Sequence, residues 1–219
     1  MDLAARIRTT AFAFRGYNVT NLGRTAELLN HHAYGPVVKE HLAEGSRVCS
    51  DVLGKKVDLE TRVREQVPSS LDTFGEDMAL ITVVELAHIR LLEQFFGVEW
   101  LKANSAFGYS LGEVAALIAA GVYEFKDIAP LPLGLAKECA DLGRDVTMGI
   151  IFSRGPALDL NKLHLACLDI NAEGKGVIGV SAILSPNTVL VLGQQDTVDR
   201  IKKRLPHYLP KQVQLRKKE

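Results

Sequence analysis

The chain has 219 residues, enough for one ample domain or one domain with a small insert. Hydrophobic residues make up 47% and charged residues 24%. The 26 Lys plus Arg balance the 26 Asp plus Glu, so the basic footprint that nucleic-acid binding requires is absent. Cys49, Cys139 and Cys167 are far apart, with no CxxC or Cys/His spacing. This argues against a disulfide framework and a zinc site, and for a reduced, cytoplasmic compartment. Charge interrupts every apolar stretch before about 18 residues, and the N-terminus lacks a signal pattern, so no membrane association is expected.

In chain order, Thr9–Phe14 is β-prone and ends at Gly16, which predicts a buried strand running into a loop. A helical stretch is expected from Gly23 to His41. Residues 45–72 are polar and poorly periodic, and read as short surface helices. From Glu76 to Phe96 the apolar residues Leu80, Val83, Val84, Ala87, Leu91 and Phe95 recur at helical spacing, the clearest helix of the chain. Asn104–Gly108 is then a short strand, and Glu113–Ala120 a small-residue helix stopping at Gly121. Strand, sharp turn and helix in that order indicate an α/β arrangement. Beyond Asp141 the rhythm changes. Thr147–Ser153 reads as a strand and Ala157–Leu168 as a helix. Val177–Ile183 and Thr188–Leu192 form a hairpin around Ser185-Pro186-Asn187, and Thr197–Arg204 is another helix. This βαββα order predicts a small α+β insert of ferredoxin-like type. The run Arg216, Lys217, Lys218, Glu219 reads as a solvated end.

One motif carries chemistry. Gly108-Tyr109-Ser110-Leu111-Gly112 matches G-x-S-x-G, the nucleophile elbow. A serine on a tight strand-to-helix turn needs flanking glycines, because side chains there collide with neighbouring backbone. The turn exposes the hydroxyl at a helix N-terminus, where backbone N–H groups can stabilise an oxyanion. The pentapeptide alone is also met in structural turns; the apolar strand before it and the helix after it favour catalysis.

The surrounding block, Ala106-Phe-Gly-Tyr-Ser-Leu-Gly-Glu-Val-Ala-Ala-Leu-Ile-Ala-Ala-Gly-Val-Tyr-Glu-Phe-Lys-Asp127, resembles the nucleophile segment of malonyl-CoA:acyl carrier protein transacylases and of the acyltransferase domains of fatty-acid and polyketide synthases. That family has G-H-S-x-G-E, an Ala-rich helix, then G-x-[ILV]-x-[FL]-x-D; Glu113, Gly121 and Asp127 are in register. Ala11-Phe-Ala-Phe-Arg-Gly-Tyr17 is similar to the family's strand ending in F-P-G-Q-G. Ser185-Pro186 followed by Val189–Gly193 is similar to its N-S-P-x-x-x-V-[IV]-[SA]-G segment.

The resemblance implies an α/β-hydrolase-like large domain over 1–141, a ferredoxin-like small subdomain over 142–205, and a return to the large domain beginning at 206–219. It also implies an acyl relay. Ser110 takes an acyl group from acyl-CoA, the substrate, and a carrier-protein thiol removes it; no tightly bound cofactor and no metal are implied. The oxyanion donors would be the backbone N–H groups of Leu111 and Tyr17, and the acyl pocket would include Tyr109, Leu135 and Asp77. Tyr109 replaces the family's histidine, and Leu135 stands near its malonyl-binding arginine, with Pro130 and Pro132 altering that helix. An apolar residue cannot pair with a malonyl carboxylate, which favours a neutral acyl group, although malonyl is the family's commonest substrate. Asp77 and Ala182 or Leu184 stand for the family's pocket Gln and Asn.

The family's catalytic histidine has no counterpart before Glu219. His207 falls too early, and His31, His32, His41, His88 and His164 lie on helical stretches. Without a base a serine is a weak nucleophile. The expectation is therefore a chain lacking the C-terminal part of the large domain. A degenerate, non-catalytic docking module is the alternative, and an esterase or thioesterase the third reading.

Overall fold

The computed structural model describes residues 3–218; Met1, Asp2 and Glu219, at the outer limits of the expected domains and of the basic terminal run, lie outside them. The chain divides into two compact units, Met1–Ala140 and Asp141–Glu219.

In the first unit a 3-10 turn, Ala4–Thr9, leads into β1, Ala11–Phe14. Four helices follow: α1 Leu22–Asn30, α2 Gly35–Leu53, α3 Leu59–Glu65 and α4 Phe74–Phe96. Then come β2, Ser105–Gly108, and α5, Leu111–Ala119. The short helices α6 Phe125–Ile128 and α7 Pro130–Gly134 precede α8, Ala136–Gly143. In α4 every residue from Met78 to Val84 is buried, so this two-turn stretch of the helix is enclosed on all sides by packed elements. Leu42, Val48, Cys49, Leu59 and Val63 join it in the main core of the unit.

Two expectations for this unit need correcting. The stretch 23–41 is not one helix. It breaks at His31–Tyr34, and α2 restarts with Pro36 in its first turn, where the missing N–H costs nothing. Residues 45–72 are not surface structure either, since Val48, Cys49, Leu59 and Val63 are core residues. Gly45 marks a close approach: a Cβ there would sit 3.0 Å from both Leu59 and Val83.

Strands β1 and β2 pair in parallel, with Ala11 opposite Ser105 and Phe14 opposite Gly108. Both strands therefore end at one level, and the segments leaving them emerge side by side. On one face of β1, Phe12 and Phe14 meet the Trp100 ring edge-on at 6.0 and 6.1 Å.

The second unit contains β3 Val146–Ser153, α9 Leu160–Asn171, β4 Ile178–Ser185, β5 Thr188–Gln194, α10 Thr197–Tyr208 and β6 Val213–Lys218. Its antiparallel sheet has the order β4-β5-β3-β6. Asp159 caps α9 by accepting from the Lys162 N–H at 3.1 Å, so the helix begins at Leu160. The described part of the segment expected to start a return to the large domain, residues 206–218, belongs to the elements of the second unit. Residues 206–208 complete α10, and β6 pairs with β3 from Val213 opposite Ser153 to Lys218 opposite Met148.

Candidate active site

The elbow is built by sterics. Ser110 has φ 55° and ψ −120°, a backbone state rare for a residue with a side chain and held only where the surroundings enforce it. A Cβ on Gly108 would fall 2.2 Å from the Glu113 nitrogen, and one on Gly112 would fall 2.2 Å from the Phe14 carbonyl oxygen. Glycine is needed at both places because backbone occupies the space. The Tyr109 N–H donates to the Phe14 carbonyl at 3.2 Å, extending the parallel ladder by one step. The Gly112 and Glu113 N–H groups donate to the Tyr109 and Ser110 carbonyls at 3.0 and 2.9 Å, starting α5 directly. Ser110 itself is exposed and makes no capping hydrogen bond.

The segment leaving β1 lies against this turn. A Cβ on Gly16 would come within 2.7 Å of the Tyr109 carbonyl oxygen and 3.3 Å of the Ser110 Cβ, so only glycine permits the approach. Tyr17 follows. Among the described residues, neither the Tyr17 nor the Leu111 backbone N–H has a hydrogen-bond partner. Both amides expected as oxyanion donors thus flank the Gly16–Ser110 contact and are unengaged.

The Tyr17 side chain enters a buried polar network. Its hydroxyl donates to Asp77 Oδ2 at 3.1 Å, and its ring packs on Phe74 with centroids 4.6 Å apart. Burial, with the Asp77 charge second, pushes the phenol up to about 12. Asp77 is 0% exposed, and its other oxygen is bonded to Arg62. Arg62, itself 5% exposed, also donates to Thr73 Oγ1 at 3.2 Å and the Val67 carbonyl at 3.4 Å, and reaches Glu76 at 3.5 Å. Burial holds the Asp77 carboxyl above its ordinary range, against the opposing pull of Arg62 and Tyr17.

The neighbouring residue of the loop is held from the same helix. The Arg15 backbone N–H donates to Glu85 Oε1 at 2.9 Å, and its guanidinium lies 3.8 Å from that oxygen. Burial raises the Glu85 carboxyl above its ordinary range. Arg15, Glu85 and His88 line a small cleft of about 280 Å³ with Ala13, Asn21 and Arg24. Desolvation, then Arg15, pushes His88 below the ordinary histidine range.

The structure thus brings Ser110, Tyr109, Leu111 and Tyr17 together. Asp77 does not line a pocket: with no exposed surface and both oxygens bonded, it stands behind Tyr17. Leu135, 60% exposed, joins α7 to α8, and the next residue, Ala136, packs against Gly75 at the start of α4. Ala182 and Leu184 lie on β4 of the second unit. His31, His32, His164 and His207 are exposed at helices or their ends, His88 on α4 lines the cleft beside Arg15 and Glu85, and His41 Nδ1 lies 2.9 Å from the Val37 carbonyl of its own helix. None is hydrogen-bonded to Ser110 among the described residues. Nor is there a group of three or more His, Cys, Asp or Glu among them able to hold a metal, or a helix long and apolar enough to cross a membrane. Sequence reading missed Arg62 and Glu85, whose partners lie 15 and 70 residues away, beyond any local pattern.

No family model matches the chain. The malonyl CoA-acyl carrier protein transacylase of Salmonella typhimurium is 30% identical over 190 residues, covering 87% of this chain and 56% of that protein. The chain's relatives include malonyl CoA-acyl carrier protein transacylases and polyketide synthases. The highly reducing polyketide synthase tstA of Talaromyces stipitatus is 26% identical over 196 residues, covering 89% of this chain and 7% of the synthase. Among solved structures, FabD from Acinetobacter baumannii superposes with a TM-score of 0.69 at 22% identity, covering 97% of this chain and 62% of that one. That likeness establishes the α/β fold. The chain spans little more than half the length of the bacterial transacylases it matches.

Proposed function

We propose that this chain is an acyltransferase that moves an acyl group from coenzyme A to an acyl carrier protein through an acyl-Ser110 intermediate, in fatty-acid or polyketide synthesis in the cytoplasm. The supporting observation is the juxtaposition at the ends of the two parallel strands. An exposed serine in a strained turn, φ 55°, lies against a glycine loop, and an unengaged amide follows each contact residue. The Salmonella relative is named a malonyl CoA-acyl carrier protein transacylase, which supports acyl transfer between coenzyme A and a carrier protein. In this reading the first unit is an α/β-hydrolase-like large domain and the second a ferredoxin-like subdomain.

The Ser110 hydroxyl oxygen attacks the thioester carbonyl, and its proton passes to a base. The tetrahedral oxyanion accepts from the Leu111 and Tyr17 N–H groups, and coenzyme A leaves as its thiol. The carrier's phosphopantetheine thiol then attacks the acyl-serine and regenerates the hydroxyl. Tyr109 and Leu135 border the acyl group. Leu135 offers a malonyl carboxylate no partner, and Arg62 is already committed to Asp77, Glu76, Thr73 and Val67. A neutral acyl group therefore suits the pocket better.

A second reading is a non-catalytic docking module. It is favoured by the lack of a histidine bonded to Ser110 among the described residues. Radiolabelled malonyl-CoA and acetyl-CoA, each with and without holo carrier protein, separate the two. The relay requires label on the protein that moves to the carrier and is lost in Ser110→Ala; no label from either donor supports the docking module.

A further inference from the structure

The segment Arg15–Tyr17 leaves the β1–β2 ladder and is gripped at both ends by one helix. Glu85 accepts from the Arg15 N–H at 2.9 Å, and Asp77 accepts from the Tyr17 hydroxyl at 3.1 Å. The two carboxylates are eight residues apart on α4, about 12 Å along the helix axis. Between the two tethers sits Gly16, pressed against Tyr109 and Ser110. Each anchor is supported in turn: Asp77 by Arg62, and Glu85 by the Arg15 guanidinium.

We infer that Asp77 and Glu85 form a two-point clamp that sets the Tyr17 backbone N–H as an oxyanion donor for Ser110, with Arg62 locking the Asp77 arm. The clamp rests on the acyl-transfer reading and makes these three side chains positioning residues, since none touches the acyl group. A loop amide is useful in the transition state only within a fraction of an ångström of its place, and a flexible loop does not hold that tolerance. Simple fold stabilisation accounts less well for the arrangement. Burying carboxylates costs free energy that apolar side chains of similar size would not cost. Here each carboxylate gives one oxygen to the same three-residue segment, the one that touches the nucleophile.

Three variants test it: Tyr17→Phe, which keeps the ring on Phe74 and removes the tether; Glu85→Ala, which removes the acceptor for Arg15; and Glu85→Gln, which restores one. The first readout is hydrogen exchange at the amides of residues 15–18, which needs no turnover. The second is the acylation rate of Ser110 over a range of acyl-CoA concentrations. The clamp predicts faster exchange at these amides in Tyr17→Phe and Glu85→Ala, with the α4 amides unchanged, and recovery in Glu85→Gln. It also predicts a roughly tenfold fall in maximal acylation rate at unchanged half-saturation, because only transition-state geometry is lost. Unchanged exchange overturns the clamp, as do wild-type acylation rates in Tyr17→Phe and Glu85→Ala. If the wild-type protein takes no acyl group, the acyl-transfer reading has failed, and exchange alone decides whether the clamp exists.

Discussion

The two segments that meet at Ser110 are held in opposite ways. The elbow, residues 108–112, is fixed by backbone crowding: Cβ atoms at Gly108 and Gly112 would lie 2.2 Å from main-chain atoms. The Arg15–Tyr17 loop is instead held by side chains reaching from a distant helix. Steric fixation uses the cheapest residue and leaves no freedom. Tethering uses buried charge and leaves a loop whose position depends on hydrogen bonds that substitution can remove one at a time.

This contrast can be broken from either side. Gly108→Ala or Gly112→Ala forces backbone apart and should cost about 4 kcal/mol or more, read as loss of folded protein in urea titration. Gly134→Ala, where a Cβ meets nothing within 4 Å, is the control expected to show no such loss. Arg62→Met leaves Asp77 buried without its cation and should cost about 3–5 kcal/mol by the same titration, without touching the elbow.

Glu85→Gln should show its effect as a change with pH. The folded Glu85 carboxyl keeps its proton above the ordinary value of 4.5, so the folded chain binds more protons than the unfolded one between the two pKa values. Its contribution is most favourable below the unfolded value and is lost as pH rises through the folded one. The variant escapes that loss, so its stability relative to wild type should rise from pH 4 towards neutrality in parallel denaturation series. Leu135→Arg has the smallest structural effect, since the site is exposed, and should change stability by less than about 0.5 kcal/mol. Competition between malonyl-CoA and acetyl-CoA should nevertheless shift towards malonyl.

The same contrast governs what the sequence discloses. The elbow is legible because its sterics are local: glycines, serine and the following helix are contiguous. α4 is legible because its apolar residues recur at helical spacing, and β1 because its residues are β-prone, although β1 is not the buried strand expected: Ala11 and Ala13 are exposed and only Phe14 is buried. The grip on Tyr17 is not, because Asp77 lies 60 residues away and Arg62 sits in a stretch whose charges look superficial. The length of α2 is masked by Gly45, which resembles a breaker but permits close packing against Val83. β6 is hidden by its cations. On an edge strand they are ordinary: Arg216 lies over the Phe152 ring, and Lys217 pairs with Asp199 at 2.8 Å.

The central claim is that Ser110 carries the acyl group. Incubation with acetyl-CoA and with malonyl-CoA, followed by intact-mass and peptide mass spectrometry, tests it most directly. A single acyl adduct mapped to Ser110, absent from Ser110→Ala and discharged by holo carrier protein, is the predicted result. No adduct from either donor, or an adduct that survives Ser110→Ala, would contradict it.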